Sequence, residues 1–417
     1  MTEAVKEAGS DAPAYANRSE EILRSPELSD ATKGFSLVAG GPLYQFLLRV
    51  GLVRPPLDRV GWRIVVITLL TWAPLLVLTA LDSRFAAGVK IPFLYDIEVQ
   101  VRLLVSLPLL IAAELIIGSR TRAMLLQFVD RQIITPEVFP KFEACIESAL
   151  RLRNSMLIEL ALLTVIIFGG NFWFRSVLAI PTDTWYATIT GSGIILAPAG
   201  HWYVSVVLPI YQFIILRWYF RLFIWARLLW QISRLKLNLV PSHPDACCGL
   251  GFLGTIAFAL APFLLAQSAL LAGYLANRIL YQGATLPNQK IEILAVAIFM
   301  YLIALGPLCV FVPRLMRQRE HGLYTYGSLA SEYVIGFEKK WIGRQRPGNE
   351  ELVGTSDIQS LADLANSFAV VQHIRPFPFG REAIITVAAI IALPILPLTL
   401  TMFSFQELVG QLLKVLF

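Results

Sequence analysis

WRIVVITLLTWAPLLVLTAL (Trp62–Leu81) is a run of twenty residues whose single charge, Arg63, stands next to its start. A helix needs about 20 apolar residues to cross roughly 30 Å of hydrocarbon, so this stretch is long enough to span a bilayer. It shows no alternation of apolar and polar residues, which argues for a transmembrane helix and against a strand of an outer-membrane barrel. Moving outward along the chain, the pattern recurs. Spans are predicted at about 62–81, 103–118, 155–175, 202–222, 254–276, 291–313 and 383–403. The second is the shortest and is interrupted by Pro108.

Composition points the same way. Of 417 residues, 56% are hydrophobic and 15% are charged, where a soluble domain carries about 25% charged residues. The fold class expected is therefore all-α: a polytopic membrane helix bundle of about seven transmembrane helices. Residues 1–60 read as a cytoplasmic tail, disordered at its start and without the apolar core of a signal peptide. Residues 61–417 read as the seven-helix domain, with cytoplasmic helical segments at 119–154, 223–253 and 314–382.

Orientation follows from the basic residues, which favour the cytoplasmic side of short connections. Of 35 Lys and Arg, 25 fall in the tail and even-numbered connections, six fall in the opposite segments, and Arg63, Arg175, Arg217 and Arg221 lie within spans. The expected arrangement is N-in and C-out. The formal charge of +6 thus reflects topology, and no nucleic-acid partner is expected.

The cytoplasmic segments carry helical signals of their own. In 119–154 the apolar residues Phe142, Cys145, Ile146 and Ala149 follow the i, i+3, i+4, i+7 spacing of an amphipathic helix. FIWARLLWQISRLKL (Phe223–Leu237) continues the fourth span as a basic, Trp-bearing helix. Ser356 reads as an N-cap, and RPFPFG (Arg375–Gly380) ends the segment before the last span.

Charges inside a bilayer are expensive, roughly 2.5–3.5 kcal/mol near its centre, and here they gather at one depth. Glu114 lies about one turn from the inner end of the second span, and Glu159 about one turn inside the third. Arg217 and Arg221 form an i,i+4 pair toward the inner end of the fourth. Glu114, Glu159 and Arg217 are read as paired or lining a cavity. Arg221, near the interface, is read as snorkelling to the headgroups along its apolar stem. Pro394 and Pro397 break the last span and free carbonyls at mid-membrane, which marks either a site on a conduction path or a plain kink.

The fourth connection reads LVPSHPDACCGLGFLG (Leu239–Gly254). His243 beside Asp245 suits proton handling, ligand contact or a metal. The competing reading makes Pro244 and Asp245 a capping turn for the next span, with His243 bonded to backbone. Cysteines 145, 247, 248 and 309 have neither disulfide nor metal spacing. No Walker A, HExxH or GxSxG motif occurs. The expectation is accordingly no enzyme, no metal and no cofactor.

AGHWYVSVVLPIYQFIILRWYFRLFIWARLLW (Ala199–Trp230), LKLNLVPSHPDACCGLGFLG (Leu235–Gly254) and SDIQSLADLANSFAVVQHIRPFPFG (Ser356–Gly380) together resemble an uncharacterised family of bacterial polytopic inner-membrane proteins carrying an HPD…GLGFL signature. The resemblance implies a bacterial inner-membrane location and transfers no activity. Topology alone is similar to the insect chemoreceptor-type seven-helix ion channels, in which the last helix lines the pore. The function expected is an oligomeric ion channel or small-solute transporter, with Glu114, Glu159, Arg217, Arg221, Pro394 and Pro397 at its vestibule or pore. The alternative is a membrane scaffold or sensor that docks partners through its cytoplasmic helices. Expected partners are membrane lipids, further copies of the chain, and a small solute or ion.

Overall fold

The structure, a computed structural model, describes residues 35–51, 60–173, 183–190, 193–343 and 356–402. The expected disorder at the start of the tail falls in 1–34, outside the described residues, as does the end of the last predicted span beyond 402. What is described is an all-α membrane helix bundle, whose β structure is one antiparallel hairpin, Ala187–Thr190 with Gly193–Leu196, and an isolated parallel bridge between Ile91 and Thr184. A short helix, α1 (Pro42–Arg49), precedes the bundle.

Among the described residues, five helices are long and apolar enough to cross a membrane by themselves: α2 (Val60–Leu81), α3 (Ile97–Asp130), α6 (Pro198–Arg234), α7 (Ala261–Gln282) and α8 (Leu286–Ile342). Two bent pairs raise the number to as many as seven. One joins α4 (Phe139–Arg153) to α5 (Met156–Trp173) with a 42° bend. After α9 (Ser356–Gln372), the other joins α10 (Arg381–Ala392) to a final turn, Leu396–Met402, at 58°. The seven predicted spans all map onto these elements, with shifted ends. The fifth begins at Ala261 because Pro262, which lacks an N–H, starts a new helix after the separate turn Ile256–Ala259. Helix α3 begins at Ile97, so Arg102, predicted to lie in an outer connection, is inside a helix and buried.

Successive spans run in opposite directions, and side-chain contacts sort the bundle into two ends. At one end Asp96 accepts from Trp185 Nε1 and Asn277 Nδ2, each at 2.8 Å, tying together the starts of α3 and the hairpin with the end of α7. At the other end Arg314 of α8 donates to Ser233 O at 3.1 Å, and Tyr326 bonds Ser242 at 2.9 Å.

Helices α3 and α6 share one construction. Each has a widened, π-type turn, Arg102–Ser106 and Tyr203–Val207, closed by Leu107 N–H to Arg102 O and by Leu208 N–H to Tyr203 O. Each turn is followed by a proline, Pro108 or Pro209. The wider turn makes room for a ring that would clash with the preceding carbonyls of a regular helix. The turns also face each other: Arg102 Nη1 bonds Tyr203 Oη, and Ser106 bonds Tyr211 at 2.7 Å. Pro108, the apparent weakness of the second span, therefore sits at a paired structural device.

Beyond the bundle, α6 runs unbroken to Arg234, as the basic Trp-bearing stretch predicts. The amphipathic helix α4 buries Phe142, Ile146 and Ala149 against it, and Arg227 of α6 donates to Ser148 at 3.1 Å. Helix α8 continues well past its apolar part and forms a hairpin with α9, held by Lys340 to Asp357 at 2.8 Å.

Candidate functional site: a buried guanidinium–carboxylate chamber

Four helices deliver charge to one point. The beginnings of α2 and α5 and the later parts of α3 and α6 lie at the same end because neighbouring spans alternate in direction. Arg63, Glu114, Glu159, Arg217 and Arg221 thereby line a single cavity of about 510 Å³. Its other walls are apolar, among them Ile67, Leu110, Leu163 and Phe213.

Glu114 is the hub. Its Oε1 accepts from Arg221 Nη1 at 2.7 Å, and its Oε2 pairs with Arg63 Nη2. Arg217 Nε lies 3.8 Å from Glu159 Oε1, a looser pairing. Arg221 also stacks over Trp218, 5.0 Å from the ring centroid, while the Trp218 indole donates to Leu110 O at 2.9 Å. Among the described lining residues, three guanidiniums face two carboxylates. Arg63 is only 3% exposed, and its Nε has no hydrogen-bond partner among the described residues.

A strap, Phe35–Gly41, runs against the charged end of the chamber, with Phe35, Leu37 and Val38 buried. Its carbonyls cap the arginines: Arg217 Nη2 donates to Gly40 O at 3.1 Å, Arg221 Nη2 to Val38 O at 3.4 Å, and Arg153 to Ser36 O. Gly41 adopts φ +88°, and a Cβ there would stand 2.8 Å from Glu159 Oε1, so both conformation and space call for glycine.

The sequence expectations divide here. Glu114, Glu159 and Arg217 are brought together as read. Arg221 does not extend to a surface as a snorkelling residue would: at 3% exposure it is buried in an ion pair with Glu114 of α3. Pro394 is half-buried at the bend after α10, Pro397 is exposed, and neither lines the charged cavity. Helix α10 instead packs on α7, where Ser268 Oγ donates to Ile391 O at 2.5 Å.

Arg63 was left out of the predicted cluster, although it stands one turn into its span at the depth of the other four. The strap had no such signal, since its contribution is backbone carbonyls.

A second charged site escaped the sequence reading. Glu98 and Arg102, an i,i+4 ion pair at the opposite end of α3, line a cavity of about 440 Å³ with Gln267, Tyr274 and Phe263. Both precede residue 103, where hydropathy alone begins the second span, whereas the helix begins at Ile97.

His243 and Asp245 form a structural turn. The Asp245 carboxylate accepts from the backbone N–H groups of Cys247, Gly249 and Gly251 at 2.8, 3.1 and 2.8 Å. Burial opposes ionisation of Asp245, but these three bonds, with His243 beside it, outweigh burial and hold its carboxyl below the usual value. His243 Nδ1 lies 2.9 Å from Asp245 Oδ1 and 3.2 Å from the Asp245 backbone nitrogen. The turn docks on the segment before α10: Arg375 N–H donates to Ala246 O and Arg375 Nη2 to Asp245 O, both at 2.8 Å. Gly254 completes the seat, since a Cβ there would meet Phe379 Cα at 3.1 Å. The HPD…GLGFL and RPFPFG stretches are thus two halves of one contact.

Compared with known proteins, the chain matches no family model, no curated protein and no solved structure.

Proposed function

We propose that this integral membrane protein takes up an anion in the Arg63–Glu114–Glu159–Arg217–Arg221 chamber and passes it across the bilayer, as a channel or small-solute transporter. One observation carries the reading: three guanidiniums against two carboxylates in a cavity among membrane helices. A net positive charge held away from water is costly and is relieved by an anionic guest. Pairing each carboxylate with arginine keeps the empty chamber tolerable, while the surplus guanidinium supplies the attraction. The distribution of Lys and Arg along the sequence puts this chamber toward the cytoplasm. In this reading the path runs through the first four spans, and the broken last span belongs to the wall or to contacts with another copy.

The test is flux in liposomes. Purified protein should pass a small anion under a gradient or voltage, and Arg217→Ala should slow that flux while leaving a folded protein. The reading is abandoned if chloride, phosphate and carboxylates all fail to move at any voltage or pH and Arg217→Ala alters stability alone.

The scaffold reading has its own support in the α8–α9 hairpin, which exposes Tyr324 (82%), Leu329 and Ile358 at separate points along its length. It predicts soluble partners that co-purify and are lost when 314–382 is deleted.

A further inference from the structure

We infer that the ligand of the charged chamber is a single-chain amphiphilic anion, a carboxylate or similar small head on one alkyl chain, entering from the lipid side past Leu163. This deepens the proposed function and rests on the same chamber.

The argument begins with the mismatch between the chamber's two parts. A site for a small hydrated anion would be polar throughout, because stripping such an ion of water has to be matched by donors on several sides. Here the donors sit at one end. The remaining walls, Leu110, Ile111, Ile210, Phe213, Ile214 and Leu163, contribute no polar side-chain atom. About 510 Å³ falls within the roughly 300–1,000 Å³ of small-molecule sites, far more than a bare anion fills. A guest that satisfies both parts has a charged head and an apolar tail.

The head would meet the guanidiniums gathered at the charged end of the chamber. Arg63 spends Nη2 on Glu114 and leaves its buried Nε unpartnered among the described residues. An unmade hydrogen bond on a buried charged group is expensive, so the Arg63 guanidinium has something to gain by turning toward an incoming carboxylate. Arg217, held by its more distant carboxylate at 3.8 Å and by Gly40 O, is the second guanidinium able to turn toward the head.

Access is lateral. The strap Phe35–Gly41 lies against Arg217 and Arg221 at the inner end. The rim, by contrast, includes Leu163, which is 42% exposed, and the half-buried Ile67 and Phe213. Helix α5 around it exposes Leu160, Val165, Ile167 and Phe168, a surface suited to acyl chains. A tail in the membrane could slide in between α2 and α5 with its head leading to Arg63, without ever crossing water.

The test is equilibrium binding to the full chain in nanodiscs of neutral lipid, read by displacement of a spin-labelled fatty acid. Dodecanoate should displace the probe, and dodecanol should do so at least about tenfold more weakly. Dodecyltrimethylammonium should not compete. Arg63→Gln should weaken dodecanoate by about tenfold while leaving dodecanol unchanged. Leu163→Trp, at an exposed rim position that does not threaten folding, should block both.

Dodecanol equal to dodecanoate would overturn the inference, as would unaltered binding in Leu163→Trp. If acetate or phosphate displaces the probe as well as dodecanoate does, the ligand class is wrong. If flux of small anions also persists in that case, the transport reading stands without the amphiphile. If dodecanoate binds as expected but nothing is transported, the amphiphile site stands and the transport reading falls.

Discussion

Arg221 Nη1 meets Glu114 Oε1 at 2.7 Å, and the opposite oxygen of the same carboxylate is taken by Arg63. One acid therefore pairs with two guanidiniums from two other helices and leaves one positive charge uncompensated. Removing it strands both charges, whereas removing one arginine leaves a complete pair. Replacing Glu114 by Gln is expected to cost about 3–5 kcal/mol, the scale for breaking a buried pair. Arg221→Met should cost less, and Glu114→Gln combined with Arg221→Met should recover part of the loss. Denaturation of the four proteins in one detergent measures the coupling. Additive losses would mean that the pair does not act as a unit.

At the other end of α3, Arg102 bonds Tyr203 where the two widened turns face each other. Tyr203→Phe keeps the ring contact with Trp185, whose centroid is 5.2 Å away, and deletes the hydroxyl alone. A hydrogen bond to a charged group is worth about 1.5–3 kcal/mol, and the unfolding transition should move by that amount. A loss confined to a few tenths of a kcal/mol would show that Arg102 is satisfied by Glu98.

The Asp245 turn predicts a pH dependence. Its carboxyl is held below the usual value in the folded chain, so its contribution is fully present above the unfolded value of about 3.9. That contribution fades as pH falls through the lower folded value. Exchange of the Gly249 and Gly251 amides should stay slow from neutral pH to about pH 4 and quicken below it. Asp245→Ala should make it fast at all pH, with a loss of about 1–3 kcal/mol. Equal protection in the variant would mean that the docked segment, through Arg375, holds the turn by itself.

Cys247 and Cys248 are buried in that turn, and burial pushes both thiols up, Cys248 to about 12, with Asp245 adding to the shift. Thiolate is the reactive form. Iodoacetamide at neutral pH should leave both unmodified in the folded protein and label them after denaturation, as mass spectrometry of the peptide would show. Rapid labelling of the native protein would show that the turn opens.

Orientation can be read from Tyr324, which is highly exposed on the polar extension of α8. In the N-in arrangement, Tyr324→Cys reacts with a membrane-impermeant maleimide in inverted vesicles and is protected in right-side-out vesicles. The reverse pattern would invert the whole assignment.

The separation between what was legible in the sequence and what was not is a physical one. Hydropathy and charge are sums along the chain, so the spans and the basic bias could be read from runs such as Trp62–Leu81 without knowing any contact. Alternation of direction then put Glu114, Glu159 and Arg217 at one depth, and the cost of burying charge made their pairing an expectation. Which atoms pair was decided only by packing. Arg221 could equally have reached the headgroups, and it is buried because α3 places Glu114 beside it. The strap Phe35–Gly41 looked like tail, since its role lies in carbonyls that any residue possesses. The paired π turns at Arg102 and Tyr203 depend on two helices meeting, and the docking of Asp245 on Arg375 joins residues 130 positions apart. Local sums along one chain carry no record of such distant partners, and the tertiary structure alone selects them.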